Sequence, residues 1–207
     1  MNSNAHELSA KTHWLFDMDG TLTCAMHDFD AIRYSLNLPA DVPILEAIAR
    51  LPDKQAVEKH AELNVMEMRL AYNATAQPGA LELLSALKDK QASIGIVTRN
   101  GKRIAEATLD ACGLAEFFVA DTIISRDCCS AKPDPAGVKL LLSRWSARPS
   151  TAVMVGDYKF DLEAGRRAGV TTVHLAVDGN HAWPELTDMA VSSLQQLTEA
   201  SCNGRIP

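Results

Sequence analysis

Two aspartates two residues apart, Asp17 and Asp19, close a short apolar run in "WLFDMDGTLT", residues 14–23. Side chains at i and i+2 of an extended segment lie on one side, so both carboxylates aim at the same place. Like charges so placed repel, unless a cation holds them or chemistry uses them. Three later apolar runs also lead to chemically loaded residues: "IVTRNG" to Thr98, Arg99 and Asn100, "SAKPDP" to Lys132, and "VGDYKFD" to Asp157 and Asp161. Each has a plainer reading when taken alone. An aspartate or threonine at a strand end is a turn former or helix cap, and a lysine is a solvated surface charge. Their order, at successive strand ends, is what points to one site.

The charge balance names its chemistry. Asp17, Asp19, Asp157 and Asp161 stand against Lys132. Two unit charges ~4 Å apart cost about 4 kcal/mol at an effective dielectric of ~20, so the cluster needs a cation. Oxygen donors with no His or Cys spaced to join them suit a hard ion such as Mg²⁺. Mg²⁺ beside a lysine, a hydroxyl and a helix N-terminus makes a phosphate site. The Asn100–Gly101 turn, with Asn100 as N-cap, is expected to supply that terminus.

The elements that must position these groups alternate. Buried β-prone runs fall at 13–17, 92–98, 118–125, 152–157 and 171–177. Their continuous apolar character suits strands covered on both faces. Between them lie helical patterns: one following Pro78, one from Asn100 to Gly113, one with Asp134 as N-cap and Pro135 at its first position, and one stopping at Gly169. A further helix is expected over "MAVSSLQQL", 189–197. The alternation predicts a Rossmann-like, doubly wound α/β domain with a parallel sheet, in which ligands bind beyond the carboxyl ends of the strands. Residues 24–76 carry helical periodicity and no convincing strand. They read as a small helical insert between a core of 1–23 and 77–207. In its longest helix Val57, Ala61, Val65, Met68 and Tyr72 form the expected buried stripe.

Composition narrows the function classes. A net charge of −6, with no basic run, argues against nucleic acid or an anionic membrane as partner. The first thirteen residues are polar and lack the apolar core of a signal peptide, and no apolar run is long enough to span a bilayer. Five cysteines, an odd number with no C-x-x-C, fit free thiols in a reducing cytoplasm. The vicinal pair Cys128–Cys129 is read as two idle thiols.

The ordered set "DMDGT", a threonine ending the second strand, the distant lysine of "KPDP", and "GDYKFD" resembles the four motifs of the haloacid dehalogenase-like superfamily. The insert is similar to the helical cap of its phosphoglycolate phosphatase and β-phosphoglucomutase branch. That resemblance implies a Mg²⁺-dependent phosphatase of small phosphorylated metabolites. Asp17 would be the nucleophile and Asp19 the general acid and base. Thr98 and Lys132 would stabilise the transferring phosphoryl group. Gly20, Arg99 and Asn100 would lie at the phosphate. Asp17, Asp157 and the Asp19 carbonyl would hold the metal, with Asp161 orienting a metal water or Lys132. Haloacid dehalogenases lack the second aspartate of the first motif and phosphonatases carry a small residue there, so Asp19 disfavours both activities. Tyr158 stands where many relatives have Ser or Thr. Candidate substrate contacts in the insert are His27, Arg33, Arg50, Lys54 and Arg69. A phosphomutase and a non-catalytic phospholigand-binding protein remain the alternatives.

Overall fold

The computed structural model describes residues 8–179 and 182–203. Of the polar N-terminal stretch, residues 1–7 lie outside it. Strand β1 (His13–Phe16) takes the centre of the sheet because its apolar residues serve both faces. Trp14 and Phe16 turn to one side and Leu15 to the other, all fully buried. Burial of each such side chain is worth about 1.5–3 kcal/mol, which pins the strand end where Asp17 begins. The neighbours of β1 are β2 (Ser93–Val97) and β4 (Ala152–Gly156). With β3 (Ile123–Ile124), β5 (Thr171–Leu175) and β6 (Met189–Val191) they form a parallel sheet in the order β3-β2-β1-β4-β5-β6. The strand order reverses between β1 and β4, the position where such sheets open a ligand crevice.

Helices cover both faces. On one lie α4 (Ala80–Asp89), α5 (Lys102–Ala111) and α8 (Leu194–Asn203), which bury Leu83, Leu109 and Leu197 against Trp14 and Phe16. On the other, α6 (Ala136–Arg144) and α7 (Lys159–Ala168) pack Val138, Leu141 and Ala164 against Leu15 and Met154. Gly169 ends α7 at φ +78°, and Gly113 follows α5 at φ +68°, the left-handed turn that favours glycine.

Between β1 and α4 come α1 (Phe29–Ser35), α2 (Ile44–Ala49) and α3 (Asp53–Ala71). These helices have a separate small core of Ile32, Leu36, Ile48 and Leu63. The chain leaves and re-enters the sheet domain through adjacent crossings. Cys24 N donates to Thr75 O (2.9 Å), Gln77 N donates to Leu22 O (2.9 Å), and Thr23 bridges Ala76.

Three expectations fail here. The run 118–125 yields only the two-residue β3. It is an edge strand, and Ala120–Thr122 ahead of it coil into a 3₁₀ turn with Val119 exposed. The expected 189–197 helix starts at Leu194. Met189–Val191 instead pair with Val173–Leu175, and the Ser193 hydroxyl caps the helix by accepting from Gln196 N (3.1 Å). In α3 the stripe is reversed. Val57, Val65 and Tyr72 are exposed, while Leu63, Glu67 and Ala71 are buried. That helix turns a mixed polar and apolar face to the molecule, so apolar periodicity picked its outer side.

Candidate active site

The carboxyl ends of β1 to β4 converge, and Lys132 is the centre of what they bring together. It is 2% exposed, on the loop after β3. Its Nζ lies 2.5 Å from Asp17 Oδ1 and 2.6 Å from Asp161 Oδ1. Asp161 Oδ2 accepts from Tyr158 N at 3.0 Å, so the first turn of α7 fixes that carboxylate. On its other side Asp17 meets Asp157, whose Oδ1 accepts from Thr21 Oγ1 at 3.0 Å. Asp17, Asp157 and Asp161 each offer an oxygen, all within 4.8 Å of one another.

One buried lysine does not balance this cluster. Burial first, then the charges of Asp17 and Asp161, push the Asp157 carboxyl up to about 8. Asp161 rises to about 6, through burial and Asp17, against the pull of Lys132. For Lys132 burial disfavours the charged form, but Asp161 and Asp17 outweigh it and hold the pKa above the ordinary lysine value. An oxygen-only donor set with surplus negative charge fits a divalent hard cation.

Gly20 makes room for this arrangement. Its φ is +82°, and a Cβ there would come within 2.3 Å of Asp157 Oδ2. Gly20→Ala is therefore expected to destabilise the protein by about 2 kcal/mol or more, since left-handed strain and the collision add. Thermal denaturation reads this directly. A melting temperature equal to the parent's would contradict it.

Asp19 occupies a different setting. Its Oδ2 accepts from Asn100 Nδ2 at 2.7 Å, and His27 Nδ1 lies 3.8 Å from Oδ1. Burial raises its pKa most, His27 opposes, and Asp17 adds to the rise, with a result of about 6. Thr98, 3% exposed, accepts from Asn100 N through Oγ1 at 3.1 Å. Asn100 is not the N-cap of α5. Its amide is drawn to Asp19, Gly101 takes the cap position, and Lys102 N donates to Asp127 Oδ2 at 2.7 Å. The helix terminus expected for phosphate thus already has a carboxylate on its first N–H. Arg99 turns toward α2, where Nη2 meets Glu46 Oε2 at 2.8 Å and Oε1 at 3.0 Å. Its Nη1 donates to the Lys132 carbonyl.

A cavity of about 270 Å³ opens over these groups, at the small end of ligand pockets. His27 and Arg33 line it, whereas Arg50, Lys54 and Arg69 lie outside its lining. Sequence reasoning missed Arg126, Glu67 and Glu46. Arg126, just past β3, also lines the cavity and pairs with Glu67 of α3 at 2.7 Å. Nothing local marks an arginine and a glutamate 59 positions apart as partners. The placement of "SRD" at a strand end was the available signal.

Comparison with known proteins identifies the pattern. Residues 28–175 match the sequence profile described as haloacid dehalogenase-like hydrolase. An uncharacterised hydrolase of Saccharomyces cerevisiae is 32% identical over 193 residues, covering 89% of this chain and 88% of that protein. A phosphoglycolate phosphatase of Pseudomonas savastanoi pv. phaseolicola is 27% identical over 213 residues, covering 88% of this chain and 77% of the relative. Among solved structures, CbbY from Rhodobacter sphaeroides in complex with phosphate superposes with a TM-score of 0.72 at 22% identity, over 90% of this chain and 96% of its own. That likeness speaks for the shared fold.

Proposed function

Because this chain belongs to the haloacid dehalogenase-like hydrolase family, we propose that it is a Mg²⁺-dependent phosphatase of small phosphomonoesters. The observation that supports this reading is the different setting of two neighbouring carboxylates. Asp17 is paired with Lys132 at 2.5 Å, while Asp19 has a pKa raised to about 6 in its own buried setting. Asp17 attacks phosphorus in line and forms an aspartyl-phosphate. Asp19 gives its proton to the leaving oxygen, then takes one from the water that hydrolyses the intermediate. The Thr98 hydroxyl donates to a phosphoryl oxygen, and Lys132 offsets charge on Asp17 and the transferring group. Asp161 holds Lys132 in place. Asp17, Asp157 and the Asp19 carbonyl would hold Mg²⁺, which when bound supplies positive charge against the repulsion between Asp17 and phosphate oxygens. The turn at Gly20 lets that backbone approach the phosphate, while Asn100 positions Asp19 and Arg99 ties the insert to the core.

Residues 24–76 act in this reading as a cap that closes over the site and excludes water. Their separate core and the paired crossings at Thr23–Ala76 support it. No helix among the described residues is long and apolar enough to cross a membrane, and a soluble metabolite is the substrate proposed.

The test is release of inorganic phosphate from a panel of phosphomonoesters, with and without Mg²⁺. Mg²⁺-dependent release is expected. An isomerised sugar phosphate without release would indicate a mutase instead, and tight binding with neither would indicate a phospholigand-binding protein.

The raised carboxyls also predict a pH signature. Asp19, Asp157 and Asp161 have folded pKa values of about 6, 8 and 6, all raised. At these three groups the folded state therefore binds more protons than the unfolded one, and the stability they contribute falls as pH rises. Metal-free protein should lose melting temperature between pH 4 and 8, the window of those shifts. Mg²⁺ binds the ionised forms, so its stabilisation should be larger at pH 8 than at pH 5. Equal Mg²⁺ stabilisation at both, read by scanning calorimetry, would contradict it.

A further inference from the structure

The arginines facing the cavity are already matched by acids of the insert. Arg126 makes a two-pronged pair with Glu67, at 3.0 Å to Oε1 and 2.7 Å to Oε2. It also donates to Asn64 Oδ1 at 2.7 Å and to the Arg99 carbonyl at 2.9 Å. Both partners are deeply buried, with side chains 10% and 9% exposed. The Arg99–Glu46 pair is more exposed, with the single nitrogen Nη2 meeting both carboxylate oxygens at 2.8 and 3.0 Å, and its guanidinium lies over the Phe160 ring at 4.8 Å. Arg33 donates to the exposed Asp30 at 3.0 Å and to the Val42 carbonyl at 3.4 Å. The remaining wall is largely apolar, from Phe29, Ile32, Ile44, Leu45, Leu63 and Phe160, with His27, beside Asp19, and Tyr158 also lining it.

A leaving group bound beside the phosphate thus meets a neutral, largely apolar surface. A second anion close to the ester oxygen would have to expel a glutamate from a guanidinium or remain unpaired in a desolvated site, and both are costly. Resting on the phosphatase reading above, we infer that the substrates are monoesters of uncharged, partly apolar alcohols. Glu67 and Glu46 set this specificity by occupying the two arginines that would otherwise bind a carboxylate or a second phosphate. Asymmetry of this type is how sites built from buried polar groups discriminate.

Four compounds test it: the esters 2-hydroxyethyl phosphate and benzyl phosphate against the ester 2-phosphoglycolate and the anhydride pyrophosphate, with kcat and KM measured for the full chain with Mg²⁺. The wild-type protein should prefer the uncharged esters by roughly tenfold or more in kcat/KM. Glu67→Gln should narrow that ratio, mainly through a lower KM for 2-phosphoglycolate, because the freed Arg126 attracts its carboxylate. Should Glu67→Gln not fold, Glu46→Gln tests the same point at the more exposed pair, where the glutamate side chain is 40% exposed. A wild-type preference for 2-phosphoglycolate or pyrophosphate would overturn the inference and leave the phosphatase reading standing. So would a ratio unmoved in a folded variant. No phosphate from any ester would overturn both.

Discussion

Asp17→Asn should give a folded protein whose phosphate release is lower by about 10⁴-fold or more, the scale seen when a covalent nucleophile is removed. The side chain leaves the end of the central strand β1 and is 14% exposed, with Oδ1 against Lys132 Nζ. An asparagine keeps that size and can still accept from Lys132, but its amide oxygen does not attack phosphorus. Stability should move the other way from activity. Removing one charge from the cluster of Asp17, Asp157 and Asp161 relieves repulsion, so the metal-free melting temperature should hold or rise. Phosphate release together with a thermal melt separates the two effects. Release within tenfold of the parent would remove Asp17 from the chemistry.

Lys132→Met is expected to damage both stability and activity. The lysine is buried between Asp17 and Asp161 at 2.5 and 2.6 Å. Taking away one member of such a group leaves uncompensated buried charge, a loss of about 3–5 kcal/mol. The sign with pH follows from the raised lysine pKa. Its contribution is fully present below the unfolded value of 10.5 and is lost only as pH rises through the folded one. At neutral pH the whole loss should therefore appear. Lowering the pH toward 5 should recover part of it, because Asp157 and Asp161 then protonate, with pKa values of about 8 and 6 before the substitution. Turnover should fall by about 10²–10³-fold, as for loss of one transition-state charge partner. Calorimetry at pH 5 and pH 8 checks the stability claim. An unchanged melting temperature at pH 8 would refute it.

The parallel sheet and the strand ends that carry Asp17, Thr98 and Asp157 were legible in the sequence for one physical reason. Each of these groups follows directly on an apolar run, and a strand buried on both faces leaves a continuous local signal, whereas Lys132 stands apart on the loop after β3 and was legible only as a member of the ordered motif set. Where the pattern misled, a non-local partner had won. Asn100 has the chemistry of a cap, but Asp19 lies 2.7 Å away and takes its amide, and Asp127 caps α5 from another loop. The outer face of α3 shows cleaner apolar spacing than its inner face, which carries Glu67 for a buried pair with Arg126. Side chains serving a site break the periodicity that reveals a core. Short β3 and β6 gave too few residues for periodicity to distinguish strand from helix or coil.

The claim that a phosphoryl group passes through Asp17 has a direct measurement. Protein mixed with a turned-over phosphomonoester and Mg²⁺ is acid-quenched during turnover, digested, and mapped by mass spectrometry. A phosphoryl adduct on the peptide containing Asp17, removed by hydroxylamine and absent from Asp17→Asn, is the predicted result. Steady phosphate release with no adduct on Asp17, and with Asp17→Asn still active, would contradict the account.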